Sequence, residues 1–394
     1  MSKTKKSSNV VKQKFETMEQ EMSNFFLERN NQVRGLIIAL LAEENVVFIA
    51  PPGTSKSLMV RNLSDRIIGE SDEDYFEWLM TKFTKPEEIL GPMVVDKLVE
   101  GIVEYKPDFK LPRARIAYLD EIFKCNSSML NCLLSALNEK IVYNANKPTP
   151  IPLQMLVGTS NEIPQDESLK ALYDRFRLRY TADYIQEPGN LRKLLDKNPD
   201  KIPSEGKVSM DDIAEARRQI NEAVKFPEEK QKILTKIVYS LSEAGFRPSD
   251  RTINKVGEII KAEAWMNNHI DVDEYDMEIL ENVFWDEPKT KKEIRSIIFQ
   301  IINPLGEDVL LIYEKCHQAY LELVKEHKKA DKEHRRKIVS ATCTKMNTLA
   351  EDMERKIKSM EKEGRPTGRY ESLLEAVLLL ITEIKTEYIG TGAK

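Results

Sequence analysis

The chain has 394 residues, enough for two or three domains that each bury a core. Charged residues make up 32% of it and acids slightly outnumber bases, for a net charge of −5, which speaks against non-specific nucleic-acid binding. Four cysteines (Cys125, Cys132, Cys316, Cys343) form no Cys-x-x-Cys pair and fit reduced core thiols in a cytoplasmic protein. Residues 1–14 are basic and Ser-rich without an apolar core, so they read as a disordered basic tail rather than a leader. The best apolar run for a membrane span, residues 373–381, is far below the ~20 residues such a span needs.

Residues 15–29 and 32–42 have helical apolar spacing, the second more apolar. Val46-Val47-Phe48-Ile49 then runs as a buried strand into Ala50-Pro51-Pro52-Gly53-Thr54-Ser55-Lys56-Ser57-Leu58, and helical spacing resumes to Ile68. Strand, tight loop, Lys-Ser and helix are the build of a phosphate-binding loop. Residues 50–58 would supply backbone N–H groups and a helix N-terminus to a polyphosphate. Lys56 would reach the β- and γ-phosphates, and Ser57 would hold Mg²⁺. Ala50 and Ser55 stand where G-x-x-x-x-G-K-[ST] expects glycine; both are small. The plain alternative is a Pro-Gly turn between strand and helix.

Residues 75–80 make a second strand. A capped helical start at residues 84–90 is stopped by Gly91-Pro92. Residues 94–98 and 102–106 flank Gly101 like a β-hairpin. Residues 115–121 form an apolar strand ending in two acids. Asp120 could hold Mg²⁺ through water and Glu121 could orient and deprotonate a water, or the two could form a solvated turn. A helix at residues 126–140, capped by Asn126 or Ser127, leads to a strand at 153–158 ending near Asn161. Asn161 could hold a water or the γ-phosphate, or simply form the turn. Arg175, Arg177 and Arg179, spaced by two, predict a strand with one basic face. That face is either an edge protected by charge or the source of an arginine for a phosphate on a neighbouring subunit.

Alternating strands and helices over residues 33–180 mean a doubly wound parallel sheet, which binds ligands at the carboxyl ends of its strands. Lys56, Asp120 and Asn161 all follow such ends. A Pro-rich stretch after Tyr180 precedes helices at 210–224, 227–244, 249–267 and 273–284. Arg251 lies in the first turn of the third, where the helix dipole offers a cation nothing, so it needs a phosphate or a carboxylate. Helices over 289–326, 328–363 and 370–388 predict a three-helix bundle.

These stretches, Ala50 to Ser57, Leu79 to Pro92, Tyr118 to Lys124, Leu130 to Lys140, Ser160 to Pro164, Ala171 to Phe176 and Ser249 to Arg251, resemble the MoxR family of AAA+ ATPases. The closest likeness is to its RavA branch, over roughly residues 15–285. The resemblance implies an α/β P-loop core at 15–185 with a helix-2 insert hairpin near 93–106, a helical lid at 186–288 and an all-α domain at 289–394. It implies ATP and Mg²⁺ as cofactors. Lys56 and Ser57 match the Walker-A pair, Asp120 and Glu121 the Walker-B acids. Asn161 matches sensor 1, Arg175 the arginine finger and Arg251 sensor 2. The family works as hexameric rings, chaperone-like remodellers with a von Willebrand A-domain partner. RavA's inserted small β-domain has no counterpart here, so its decarboxylase partnership is not carried over. Two other readings remain: a nucleic-acid-associated motor, suggested by Lys97 and Lys106 but opposed by Asp96, Glu100 and Glu104, and a nucleotide-binding scaffold with weak hydrolysis, suggested by Ala50.

Overall fold

A computed structural model of the chain describes residues 2–68, 73–196, 205–327 and 331–389. It divides into two compact units, Met1–Gln186 with Asp196–Ile294, and Glu187–Leu195 with Arg295–Lys394.

The first unit begins with helices α1 (Ser2–Phe25) and α2 (Asn30–Ala42). The expected tail is therefore helical. Its register carries on the stripe of Phe15, Met18 and Met22, all fully buried, and Val11 extends that stripe backwards. Then follow β1 (Val46–Ile49), α3 (Lys56–Asp65), β2 (Ile67–Ile68), β3 (Tyr75–Leu79), α4 (Pro86–Leu90) and α5 (Val95–Val99). Next come β4 (Ile116–Asp120), a 3₁₀ turn (Ile122–Lys124), α6 (Ser127–Glu139), β5 (Ile141–Asn144), β6 (Lys147–Pro150), β7 (Met155–Ser160), α7 (Glu167–Tyr173) and β8 (Leu178–Thr181). Helix α8 (Pro188–Asp196) lies mostly in the second unit. After it come β9 (Val208–Ser209), α9 (Met210–Ala223), α10 (Glu228–Glu243) and α11 (Asp250–Met266). The expected helix at 273–284 is a 3₁₀ helix, Tyr275–Asn282.

Five strands form one parallel sheet in the order β3-β4-β7-β1-β8. The interior strands are buried along their apolar lengths, as parallel strands covered on both faces must be. Val46 pairs with Val157 on one side and Leu178 on the other, which fixes the levels of β7 and β8 against β1.

Between β3 and β4 the chain makes the excursion expected as a hairpin. Its base is antiparallel: Met93 bridges Tyr105, Val94 N–H donates to Glu104 at 2.8 Å and Lys106 N–H to Pro92 at 2.9 Å. Its first arm, however, is the helical turn α5 rather than a strand. Gly91 (φ 109°) starts the excursion so close to Lys106 that any Cβ would lie 1.8 Å from the Lys106 carbonyl oxygen. A genuine hairpin, β5–β6, comes later. Ala145 (φ 50°) and Asn146 (φ 59°) are both left-handed, as a tight hairpin turn requires. The Asn144 side chain ties it to the insert, accepting from Tyr105 N–H at 2.7 Å and donating to Tyr105 C=O at 3.0 Å.

The basic strand face also differs from expectation. Arg177 and Arg179 on and beside β8 are buried, not solvated. Arg179 Nη1 donates to the Trp285 carbonyl and to Asp286 Oδ1, both at 2.6 Å.

The second unit holds Glu187–Leu195, expected in the lid, and the C-terminal helices. The helix expected over 289–326 is broken into α12 (Lys291–Ile302) and α13 (Pro304–His327), since Pro304 lacks an N–H and disfavours helix before it. Asn303 fills the break, accepting from Gly306 N–H at 3.0 Å and donating to Tyr370 Oη at 2.9 Å. Helices α14 (Lys332–Lys362) and α15 (Gly368–Ile384) complete it. No described helix is long and apolar enough to cross a membrane. Cys125, Cys316 and Cys343 are buried free thiols, and Cys132 is half-buried.

Candidate active site

The loop after β1 turns at two left-handed residues, Gly53 (φ 78°) and Ser55 (φ 61°). Left-handed residues at alternate positions make a backbone nest of N–H groups that suits an anion. Gly53 meets nothing within 4 Å of where a Cβ would be, leaving its side of the loop open. Ala50, by contrast, extends the ladder: its N–H donates to the Ser160 carbonyl at 3.0 Å, and its φ is ordinary. A methyl group is no burden there. The strain of the departure from glycine falls on Ser55, which carries a Cβ in the left-handed region.

Lys56 opens α3 with its side chain folded over the loop, its Nζ donating to the carbonyls of Ala50 and Pro51 at 2.8 Å each. It is 8% exposed. Burial lowers its pKa, opposed by the charges of Asp120 and Glu121. Thr54 Oγ1 closes the loop on the Pro51 carbonyl at 3.0 Å. Ser57 and Leu58 follow in the first turn, half-buried. A buried ammonium beside an open nest, with two carboxylates near enough to act on it, fits a polyphosphate with a divalent cation.

The acids come from the tip of β4. Asp120 Oδ1 accepts from Thr159 Oγ1 on β7 and from Glu121 N–H at 3.1 Å. Glu121 is left-handed (φ 53°), so the chain turns sharply between the two carboxylates. Asn161, just past β7, donates through Nδ2 to Glu121 Oε1 at 2.7 Å. Lys124 Nζ lies 3.4 Å from Glu121 Oε2. Lys56, Asp120, Glu121 and Asn161 are therefore assembled at the carboxyl ends of β1, β4 and β7. Thr159 and Lys124 are partners that the sequence did not single out. The strand-like position of Thr159, two before Asn161, was the available signal.

Arg175 and Arg251 are elsewhere. Leu178 is level with Val46, and Arg175 precedes it by three residues, so Arg175 sits at the amino end of the sheet. The length of β1 alone, about 10 Å at ~3.3 Å per residue, separates that end from the loop. Arg175 Nη1 donates to the Ala171 carbonyl at 3.1 Å and lies 3.2 Å from Asp174 Oδ2. Arg251, in the first turn of α11, lies 3.7 Å from the same oxygen. The partner that Arg251 needed is thus a carboxylate, Asp174. Asn45 steadies this corner: it is buried, accepts from Leu156 N–H at 3.0 Å and donates to the Arg175 carbonyl at 3.4 Å.

A parallel sheet of this order with a Lys-Ser loop, an acid pair and a polar strand tip at one end, followed by a helical lid, defines an α/β fold of the AAA+ class. The chain belongs to the MoxR family of AAA+ ATPases. Residues 13–218, more than half of it, match the family described as the MoxR domain in the MoxR-vWA-beta-propeller ternary systems. Residues 229–298 match an AAA lid domain. Two uncharacterised proteins of Methanocaldococcus jannaschii are similar to it. One is 36% identical over 73% of this chain and 76% of its own length. The other is 35% identical over 76% of this chain and 77% of its own. A solved structure of a candidate ATPase from Cytophaga hutchinsonii shares the fold, with a TM-score of 0.60 and 20% identity over 76% of this chain and 96% of that one.

Proposed function

We propose that the chain hydrolyses ATP, with Mg²⁺, in a closed cytoplasmic ring of like subunits, a hexamer by family likeness. The observation that carries this reading is the separation of the two half-sites. Lys56, Asp120, Glu121 and Asn161 meet at one end of the sheet, and Arg175 with Arg251 lies at the other. Neither half is complete alone, and a neighbouring copy would bring them together.

Within that site the loop amides of residues 50–58 and Lys56 hold the phosphates. Ser57 and Asp120 hold the metal ion, which would neutralise charge developing on the phosphoryl oxygens. Glu121 orients and deprotonates the attacking water, and Asn161 fixes the carboxylate that does so. Arg175 of the next subunit stabilises charge at the transferred phosphoryl group, with Arg251 beside it. Steady-state turnover of ATP with Mg²⁺ by the assembled protein tests the reading. A chain that binds ATP and forms rings yet shows no turnover would contradict it.

The work done with that energy is remodelling of a protein client. The matched family is named for ternary systems with a von Willebrand A-domain and a β-propeller protein, and we propose those two as partners. Within the family we place the chain nearest the RavA branch, on the likeness of its motifs over roughly residues 15–285 and on its long C-terminal helices. Co-purification of the chain with a tagged von Willebrand A-domain protein of its own genome checks the partnership, and loss of both partners on washing with ATP would count against a stable complex.

A further inference from the structure

Arg175 and Arg251 come from separate elements, the turn after α7 and the first turn of α11, and they share one carboxylate. Asp174 Oδ2 lies 3.2 Å from Arg175 Nη1 and 3.7 Å from Arg251 Nη1. Its other oxygen accepts from Ser249 Oγ at 3.1 Å. Ser249 in turn caps α11, accepting from Thr252 N–H at 3.3 Å. The Asp174 backbone is fixed as well. Its N–H donates to the Lys170 carbonyl at 2.9 Å, and its carbonyl accepts from Arg177 Nη1.

Two guanidinium groups converging this closely repel each other, and a carboxylate between them offsets that repulsion. An ordinary exposed ion pair would matter little. This carboxylate is different in joining two cations and a helix cap across a sequence separation of 75 residues. Arg175 is also not fully satisfied at rest, since its buried Nε has no hydrogen-bond partner.

We infer that Asp174 is a positioning residue: it carries Arg175 and Arg251 as one cation pair and ties the first turn of the lid helix α11 to the turn that bears Arg175. It acts through the arginines and does not touch nucleotide. The inference rests on the proposed reading of Arg175 as an arginine given to the neighbouring subunit.

Steady-state ATP kinetics of the assembled ring test it with Asp174→Asn, Arg175→Ala and the double variant. Asp174→Asn keeps the size and loses the charge. It should lower kcat about tenfold with KM held within about twofold, the split expected of an interaction made in the transition state. The double variant should be no slower than Arg175→Ala, because residues acting as a unit are not additive. Wild-type kcat in Asp174→Asn with a slow Arg175→Ala overturns the inference alone. Losses that multiply in the double variant also overturn it, since they assign Asp174 a separate structural role. Wild-type kcat in Arg175→Ala removes the reading beneath it. Should Asp174→Asn fail to fold, Asp174→Glu carries the same test: it should slow the wild type and not Arg175→Ala, and equal slowing of both overturns the inference.

Discussion

Asn161 Nδ2 and Glu121 Oε1 lie 2.7 Å apart, a hydrogen bond that joins the tips of β7 and β4 across 40 residues of sequence. With Lys124 Nζ 3.4 Å from the other oxygen, both oxygens of the Glu121 carboxylate have partners. A carboxylate held this way is oriented before any water arrives. Each oxygen keeps a second lone-pair site, which can take the proton of that water.

This arrangement separates binding from turnover. Glu121→Gln should bind ATP with Mg²⁺ as the wild type does and lose about 10²–10⁴ in kcat, the range expected for removing a general base. Asn161→Ala should bind equally well and lose less, since it removes only the orienting contact. Calorimetric binding beside steady-state turnover checks both. Undiminished turnover in Glu121→Gln would take that residue out of the base role.

The loop makes a second, thermodynamic prediction. Ser55 holds a left-handed backbone that glycine adopts without strain. Ser55→Gly should therefore raise the stability of the nucleotide-free protein by up to about 1 kcal/mol, the relief of Cβ strain less the added freedom of the unfolded chain. Ala50→Gly should lower it, because Ala50 sits in strand geometry with nothing to relieve. Thermal melting reads both signs. A Ser55→Gly variant less stable than wild type would mean that the hydroxymethyl group makes a contact worth more than the strain.

Glu44, in the turn before β1, gives a pH-dependent prediction. Burial pushes its carboxyl up to about 7; the charges of Arg177, Lys255 and Lys140 pull the other way and that of Glu258 pushes it further up. A carboxyl whose folded pKa is raised binds more protons folded than unfolded. Its contribution to stability is present at low pH and is lost as pH rises from the usual carboxylate range to about 7. Glu44→Gln cannot ionise. The variant should therefore gain on the wild type between pH 5 and 8, by on the order of 2–3 kcal/mol once Glu44 is charged. Denaturant melts of the two proteins at both pH values check this. A difference that does not change with pH would mean that Glu44 titrates normally.

Much of the nucleotide half-site was legible because it is built from local patterns. Val46 to Ile49 and Ile116 to Asp120 are apolar runs that end in chemistry-bearing residues, and a parallel sheet puts such ends together. The arginine corner was legible only by residue identity. Asp174 is one acid beside one arginine in the sequence, and nothing local says that Ser249 and Arg251 will close on it. The β5–β6 hairpin was missed because its turn is Ala145-Asn146, without the glycine that usually marks left-handed turn positions, and because Pro148 and Pro150 argue against a strand. In the insert, Val94, Val95, Leu98 and Val99 have strand-like composition, yet their pairing is limited to the base. A short segment without partners on either side settles into a helical turn. Helix α1 departs from the tail reading because a polar, basic sequence at residues 2–8 hides a helix whose buried stripe includes Val11, Phe15, Met18 and Met22.

The claim that one active site is shared between two copies is tested most directly by mixing two inactive proteins. Arg175→Ala keeps an intact loop and acid pair, and Glu121→Gln keeps an intact arginine corner. Assembled together in equal amounts, they should recover about a quarter of wild-type ATP turnover, the random yield of an intact loop meeting an intact arginine in a closed ring. Each alone should stay slow. A mixture no faster than its parts, or an Arg175→Ala protein that turns over ATP like the wild type by itself, would contradict the shared site.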